Sequence, residues 1–219
     1  KQVRQIDKVF LTLMRDAYAG IDLTLAQTED DARRLYEVGA LNIQVVGNLK
    51  FDVVLPVVAV DAGRSWRQRL NRPVIAIAST REGEDAWFVQ ALARQDSTAL
   101  FLLIPRHPQR FDEAAALLEQ AEIATVRWSV LRYNTQPEQM LAGIKVVLCD
   151  TIGEMPFFYA ASDVAIVAGS FAPVGGQNLI EACAAGCPVL LGEHTFNFQQ
   201  ASQDAIDCGA AMRVQGNGS

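Results

Sequence analysis

Short, continuously apolar runs alternate with segments of helical period along most of this 219-residue chain. Each run is bounded by turn or polar residues, which is typical of strands buried on both faces of a parallel sheet. The runs that predict strands are residues 21–27, 43–47, 74–78, 99–104, 124–128, 145–149, 164–168 and 188–191. The predicted fold class is therefore α/β, with a Rossmann-like doubly wound parallel sheet.

The intervals between these runs predict helices and also indicate where a ligand would bind. Helical period covers residues 29–38, 82–93, 108–120, 155–161, 178–185 and 199–207. Right-handed crossovers place every strand-to-helix loop on one edge of a parallel sheet. In open α/β sheets, ligands bind at that carboxyl edge. We therefore expect the functional residues in the loops at the predicted strand ends.

The alternation is interrupted after residues 47–52, where an extended segment containing Pro56 precedes a helix that we expect to begin at Asp61. Such a break predicts a domain boundary near residue 50. Residues 1–50 are then expected to be the tail of a preceding domain together with the interdomain connection. Residues 51–219 are expected to form the main domain.

Charge and composition exclude several functions. The net charge of −6 lies in the second half, because residues 1–113 hold 15 basic and 15 acidic side chains and residues 114–219 hold 4 and 10. A broad nucleic-acid surface would need a basic face and is not indicated, whereas a small anion needs only one or two cations. The four cysteines form no C-x-x-C pair and only two histidines are present, so the sequence predicts no metal site.

Two predicted loops carry candidates for an anion and for a helix start. Arg106 follows the 99–104 run, where a guanidinium suits a phosphate because its planar fork donates two parallel hydrogen bonds. A surface ion pair with a nearby carboxylate would explain the same residue. Ser79 and Thr80 follow the 74–78 run, and either is a plausible N-cap for the next helix.

The loop at residues 150–156 contains Gly153, which allows close approach of the backbone, and Pro156, which suits the first turn of a helix. Its exposed N–H and C=O groups can read the edge of a nucleobase. A simple helix cap explains this loop equally well.

The most informative loop spans residues 169–181 and contains the pair Gly175 and Gly176 before a predicted helix. The glycines are expected to clear side chains from the helix N-terminus, where free N–H groups favour a phosphate. Asn178 and Glu181 are one helical turn apart, and Glu181 can accept two hydrogen bonds from a ribose diol. The loop matches neither the dinucleotide fingerprint nor a Walker loop, which disfavours a dehydrogenase and a P-loop NTPase.

Several long strings closely resemble bacterial 3-deoxy-D-manno-octulosonic acid (Kdo) transferases. They are GNLKFD (47–52), IASTREGE (77–84), PRHPQRF (105–111), DTIGEMPFFYAASD (150–163), GSFAPVGGQNLIEACAAGCPVLLG (169–192) and HTFNFQQAS (194–202). The resemblance runs from about residue 25 to residue 214.

The resemblance implies a GT-B glycosyltransferase that transfers Kdo from CMP-Kdo to a lipid A precursor in lipopolysaccharide biosynthesis. It implies an inverting displacement with no metal and no cofactor, CMP-Kdo being a substrate. Residues 51–219 would be a C-terminal CMP-sugar-binding domain, truncated at its C-terminus. The implied CMP-binding residues are Pro105, Arg106, Gly153, Glu154, Met155, Asn178, Leu179, Ile180 and Glu181. Position adds Ser79 and Lys50 as weaker candidates.

The resemblance also implies that the chain holds no catalytic residue, because the family's general base is a carboxylate of an N-terminal domain. That domain would contact the acceptor lipid and the cytoplasmic face of the bacterial inner membrane, and residues 1–50 would be its tail. The chain alone is expected to be soluble, to bind CMP and to transfer no sugar. A nucleotide-sugar epimerase of the same architecture and a non-catalytic nucleotide-binding module are the alternatives.

Overall fold

A computed structural model describes residues 8–47 and 52–214 of the chain. It divides the chain into two compact units, Lys1–Val53 and Val54–Ser219. Within the described residues, no helix is both long enough and apolar enough to cross a membrane.

The first unit is a small βαβ arrangement preceded by a helix. Its elements are α1 (Lys8–Ala19), β1 (Thr24–Ala26), α2 (Glu29–Glu37) and β2 (Ile43–Val45). The two strands pair in parallel, with Thr24 opposite Ile43. Helix α2 begins after Thr28, whose hydroxyl oxygen accepts a hydrogen bond from the backbone N–H of Asp31 at 3.1 Å, a standard N-cap.

The second unit contains a seven-stranded sheet, and every strand pair in it is parallel. Its elements are α3 (Val57–Gln68), β3 (Val74–Thr80), α4 (Glu84–Arg94), β4 (Leu100–Pro105), a 3-10 turn (Pro108–Arg110), α5 (Phe111–Gln120), β5 (Thr125–Arg127), α6 (Trp128–Leu131), α7 (Pro137–Met140), β6 (Val146–Leu148), α8 (Met155–Ala160), β7 (Val164–Val167), α9 (Ile180–Ala184), β8 (Val189–Leu191), α10 (Gln199–Asp207) and β9 (Ala211–Arg213). The predicted Rossmann-like α/β class is confirmed.

The strand order β5-β6-β4-β3-β7-β8-β9 places β3 at the centre of the sheet. From β3 the chain moves to β4 on one side, and from β7 it moves to β8 on the other. The loops after β3 and β7 therefore lead to opposite sides, which makes the carboxyl ends of these two strands the topological switch point. Open α/β sheets bind ligands at this position.

Apolar side chains cover both faces of the sheet. On one face, Val89 and Leu92 of α4 and Leu118 of α5 pack against inward-facing strand residues such as Ile77 and Leu103. On the other face, α3 packs against α8. The crossing is close at Gly63, where an added Cβ would overlap the carbonyl oxygen of Phe157 and lie 3.0 Å from the Cβ of Ala160.

An aromatic group fills the space beside this crossing. The rings of Trp66 and Trp128 meet edge to face with centroids 5.9 Å apart, and Trp128 and Phe157 lie 4.9 Å apart. Trp66 and Trp128 are both buried. Such pairs add to the free energy gained from burying the rings, because the positive edge of one faces the negative face of the other.

Some element boundaries differ from the sequence predictions. Helix α3 begins at Val57 rather than at Asp61, because Pro56 serves as its N-cap residue and the following apolar residues form its first turn. Helices α6 and α7, each of four residues, and the edge strand β9 were not predicted.

Candidate functional site

Four loops that carry sequence-predicted site residues follow four adjacent strands. These strands are β6, β4, β3 and β7, which lie side by side in the sheet. Because all strands are parallel, the four loops emerge from the same edge. The edge thus collects Ser79 near the end of β3, Pro105 at the end of β4 with Arg106 just after it, the 153–155 segment after β6, and the 169–181 loop after β7.

Ser79 lies in the backbone irregularity that ends the central strand. The pairing of β3 with β4 shifts register between Ala78 and Thr80, so Ser79 is an extra residue there. Its φ is 61°, in the left-handed region that non-glycine residues rarely adopt. Neither Ser79 nor Thr80 is an N-cap, since α4 begins at Glu84 after Gly83, whose φ is 85°.

Arg106 presents a cation at the ligand-binding edge. It follows the buried Pro105 directly, and its backbone N–H donates to the carbonyl oxygen of Thr80 at 3.0 Å. The guanidinium is exposed, and within residues 8–47 and 52–214 it takes part in no ion pair and no hydrogen bond. The sequence had left an ion pair with a neighbouring carboxylate open, and none forms in the described chain. The guanidinium therefore remains available to an anion.

Tyr159 of α8 is a buried residue whose pKa is affected by charges of both signs at the edge. It is 2% exposed, and burial raises the pKa of its phenol. The carboxylate of Glu181 raises the pKa of Tyr159 further, and the guanidinium of Arg106 lowers it. Arg106 and Glu181 therefore lie close enough to act on the same hydroxyl group. Sequence analysis missed Tyr159, because a tyrosine within an apolar helix face is usually a core residue.

The loop after β6 is fixed by hydrogen bonds from α6 and from Arg132, which directly follows α6. The carboxylate of Asp150 accepts hydrogen bonds from the backbone N–H of Ser129 at 2.8 Å and from its hydroxyl group at 2.7 Å. The carboxylate of Glu154 accepts from the indole N–H of Trp128 at 3.1 Å and from the guanidinium of Arg132 at 2.9 Å. The Glu154 side chain is thus occupied within the protein, and its carbonyl oxygen accepts a hydrogen bond from the backbone N–H of Phe158 at 3.1 Å.

Backbone groups at Gly153 remain accessible. Gly153 is exposed with φ of 84°, and an added Cβ there would have open space around it. Met155, half-buried, begins α8, and Pro156 stands in its first turn as expected. Gly153 therefore serves the turn through its positive φ rather than through a crowded contact.

The glycine pair of the 169–181 loop has a different role from the one expected. Helix α9 has five residues and begins at Ile180, so Gly175 and Gly176 precede it by several non-helical residues. A Cβ on Gly175 would lie 2.5 Å from the ring of Phe196, and one on Gly176 would lie 3.3 Å from the carbonyl oxygen of His194. The pair therefore permits close packing of the 194–197 segment and does not clear a helix N-terminus.

The residues at the start of α9 form a local network. Asn178 accepts a hydrogen bond from the backbone N–H of Ile180 at 3.0 Å and donates to Glu181 across 3.4 Å. The side chains of Leu179 and Ile180 are buried, so only their backbone groups can meet a ligand. Asn178 and Glu181 are half-buried and lie together, as their spacing predicts.

Glu84 is the residue at this edge that sequence analysis undervalued. Its side chain has 0% exposure. Both of its carboxylate oxygens accept hydrogen bonds from the backbone N–H of Gly169, at 2.7 and 2.8 Å. It also accepts from the backbone N–H of Arg81 at 3.0 Å. Glu84 thus joins the loops of the switch point.

Two further expectations concern Lys50 and metal binding. Lys50 lies outside the described residues. In the described part of the chain, no group of three or more His, Cys, Asp and Glu side chains is placed to hold a metal ion. Transfer without a metal or cofactor stays a prediction.

A separate cavity of about 730 Å³ borders the 150–155 loop on its α6 side. Its charged lining residues are already paired: Arg69 with Glu138 at 2.6 Å and Arg132 with Glu154 at 2.9 Å. The cavity therefore offers no uncompensated cation to an anion, in contrast to the edge at Arg106.

The sheet and its strand-end loops define a Rossmann-like α/β domain with its candidate site at the topological switch point. Residues 1–53 match the family model described as 3-Deoxy-D-manno-octulosonic-acid transferase (kdotransferase). The C-terminal CMP-Kdo binding domain of WaaA from Acinetobacter baumannii is similar in structure, with a TM-score of 0.63 and 30% identity over 73% of this chain and 83% of that one.

Two curated relatives extend the similarity across most of the chain. A 3-deoxy-D-manno-octulosonic acid transferase of Bordetella pertussis is 56% identical over 92% of this chain and 47% of its own length. One from Haemophilus influenzae is 31% identical over the same shares of the two chains. The chain thus spans about half the length of these relatives. It belongs to the Kdo transferase family.

Proposed function

We propose that this chain supplies the donor-nucleotide site of a Kdo transferase that uses CMP-Kdo. The observation that carries the proposal is the exposed guanidinium of Arg106, which pairs with no carboxylate among residues 8–47 and 52–214 and follows β4 at the same sheet edge as the loop that leads to Glu181. In a nucleoside monophosphate, a cation suits the phosphate, and a carboxylate can accept hydrogen bonds from the ribose hydroxyls. The similar structure from Acinetobacter baumannii is described as a CMP-Kdo binding domain, which supports the same ligand.

Each loop of the edge has a role in this proposal. Pro105 and Arg106 hold the phosphate region, and Asn178, Leu179, Ile180 and Glu181 hold phosphate and ribose, the two buried residues through their backbone. Gly153, Glu154 and Met155 meet the cytosine through backbone groups, because the Glu154 carboxylate is already bonded to Trp128 and Arg132. Ser79 adjoins the site near the end of β3, and Lys50 is a further candidate.

The proposed reaction is an inverting displacement on a lipid A precursor in lipopolysaccharide biosynthesis. A second domain of a GT-B architecture would provide the general base, which takes the proton of the acceptor hydroxyl as that oxygen attacks the anomeric carbon and CMP leaves. Arg106 stabilises the charge that develops on the departing phosphate. The whole enzyme would act at the cytoplasmic face of the inner membrane, and this chain alone would bind donor without transferring sugar.

Calorimetric titration of the 219-residue chain with CMP, UMP and CDP tests the donor site. We expect selective CMP binding that is lost in Arg106→Ala and in Glu181→Ala. Arg94→Ala is the matched control, because Arg94 is also exposed and ends α4, a helix that runs away from the ligand edge. Its CMP affinity should equal that of the wild type.

The outcomes separate the alternatives. A preference for UMP would favour a nucleotide-sugar epimerase, and sugar transfer by this chain alone would contradict the need for a second domain. A folded chain that binds none of the three nucleotides would refute the donor site as assigned to this chain.

A further inference from the structure

The first turn of α4 carries two consecutive carboxylates, Glu84 and Asp85, each with 0% exposure. They face different loops of the ligand edge. Both carboxylate oxygens of Glu84 accept hydrogen bonds from the N–H of Gly169, in the loop after β7. Asp85 pairs with Arg110, in the segment after β4, at 2.5 Å. The first turn of α4 therefore bonds to the loops that follow the strands on both sides of β3.

Burial of the Glu84 carboxylate costs free energy, which hydrogen bonds within the protein must offset. An ionised carboxylate inside a protein loses its hydration, and hydrogen bonds must replace it. Among the described residues Glu84 takes part in no ion pair, and its bonded donors are the backbone N–H groups of Arg81 and Gly169. Backbone donors fix a loop in place, because they cannot rotate away as a side chain can. The interaction therefore constrains where Gly169 lies.

Gly169 passes this constraint on to the ligand loop. Its φ is 71°, and its carbonyl oxygen accepts a hydrogen bond from the N–H of Gly176 at 2.7 Å. The side chain of Gln177 packs at the same glycine, 3.0 Å from the position that a Cβ would occupy. Gly176 and Gln177 immediately precede Asn178. A continuous series of contacts thus runs from Glu84 through Gly169 to the residues proposed to hold phosphate and ribose.

We propose that Glu84 is a positioning residue of the donor site, which holds the 169–181 loop in register with the turn at Ser79–Arg81. Glu84 touches no substrate and acts through the backbone of Gly169. The inference rests on the proposed donor site and adds the residue that preorganises it. It predicts that Glu84 affects nucleotide affinity beyond any effect on folding.

The test compares Glu84→Gln, Glu84→Ala and the control Glu82→Gln. Glu82 lies in the same turn but is exposed, so its substitution removes the same charge without touching Gly169. Glutamine keeps one carbonyl acceptor, whereas alanine keeps none. We expect the CMP dissociation constant to rise about tenfold in Glu84→Gln and further in Glu84→Ala, with Glu82→Gln unchanged. Denaturant unfolding of each variant establishes that it is folded at the titration temperature.

Amide hydrogen exchange at Gly169 and Gly176 gives a second, independent measurement. Both amides should exchange faster in Glu84→Gln than in Glu82→Gln, because Gly169 loses acceptors and its contact to Gly176 loosens. A folded Glu84→Gln variant with wild-type CMP affinity would overturn the inference and leave the proposed function standing. If the wild type bound no CMP, the proposed function would fail. Unchanged amide exchange at Gly176 in Glu84→Gln would overturn the coupling between Glu84 and the 169–181 loop.

Discussion

The indole N–H of Trp128 donates to the carboxylate of Glu154 across 3.1 Å, and this bond turns the Glu154 side chain toward α6. Arg132 donates to the same oxygen at 2.9 Å. The loop after β6 is thereby held by side chains of α6, and its own backbone stays open at Gly153. Recognition of a base at this loop is expected to depend on main-chain groups.

Glu154→Gln is therefore expected to cost stability but little affinity. The glutamine carbonyl can still accept from one donor, but the charge-assisted bond to Arg132 is lost, at about 1 kcal/mol of unfolding free energy. CMP affinity should stay within about threefold of the wild type in calorimetry. Glu119→Gln, at an exposed carboxylate of α5, is the control for charge removal. A tenfold or greater loss of affinity in Glu154→Gln would assign the side chain to the nucleoside instead.

Gly63→Ala should destabilise the second unit through the α3–α8 crossing. The added Cβ would overlap the Phe157 carbonyl oxygen and press on Ala160 at 3.0 Å. Overpacking lowers the unfolding free energy by about 1–3 kcal/mol. The higher helix propensity of alanine offsets about 1 kcal/mol of this loss. Denaturant unfolding followed by tryptophan fluorescence reports on this unit. Ser65→Ala, on the exposed side of the same helix, should change the unfolding free energy by less than about 0.5 kcal/mol. Equal stability of the two variants would show that the helices can separate freely.

Asp85→Asn tests the buried ion pair with Arg110. The Asp85 side chain is 0% exposed and that of Arg110 12%, so removing the negative charge leaves a poorly solvated guanidinium whose remaining ion pair in the described chain is with the exposed carboxylate of Glu113 at 3.2 Å. We expect a loss of about 3 kcal/mol in unfolding free energy. The comparison is Glu138→Gln, which breaks the Arg69–Glu138 pair on the surface and should cost less than about 1 kcal/mol. Equal losses in both variants would contradict the distinction between the two pairs.

The pH dependence of stability should carry a contribution from Glu84. Burial raises the pKa of Glu84 above its ordinary value of 4.5, and the neighbouring charge of Asp85 raises this pKa as well. The hydrogen bonds from the N–H groups of Arg81 and Gly169 and the charge of Arg81 act in the opposite direction. A group whose pKa is higher in the folded state stabilises that state at pH values below its pKa in the unfolded state. This stabilisation is lost as the pH rises through the pKa of the folded state. Relative to Glu84→Gln, the wild type should therefore lose unfolding free energy as the pH rises from about 4.5. Denaturant unfolding at a series of pH values measures this difference, and a constant difference would refute it.

The cysteines should differ in their reaction with iodoacetamide. Cys208 is exposed, whereas Cys149 and Cys187 are buried. Burial raises the pKa of the Cys187 thiol to about 12, so the reactive thiolate is scarce at neutral pH. Mass spectrometry should find Cys208 alkylated first, and Cys208→Ser should remove the fast phase. Early labelling of Cys187 would show that β8 opens readily.

Sequence periodicity was sufficient to predict the central strands of the sheet but not its edge strand β9. The strand at Val74–Thr80 is apolar and buried along nearly its whole length, so its pattern is unambiguous. Strand β9 has only three residues, two of them exposed, and such a segment has no distinguishing period. The start of α3 was misplaced because Pro56 was taken as part of an extended connection, whereas a proline just before a helix is equally compatible with its N-terminus.

The candidate site shows the same division between local and long-range information. The exposed cation at Arg106 and the spacing of Asn178 and Glu181 follow from local sequence. The contact between Glu84 and Gly169 joins residues far apart in the chain, and nothing in the sequence around either one indicates the other. The packing of Gly175 against Phe196 was hidden in the same way, so the sequence did not indicate that the glycine pair permits close approach of the 194–197 segment.

The central position of β3 also bears on synthesis at the ribosome. Strand β3 pairs with β4, which follows it closely in the sequence. It also pairs with β7, whose last residue, Val167, is synthesised much later. While the intervening residues are being made, one edge of the central strand has no neighbour, and an unpaired apolar edge is a template for pairing with another chain. The nascent protein is thus most prone to aggregate between the completion of β4 and the arrival of β7.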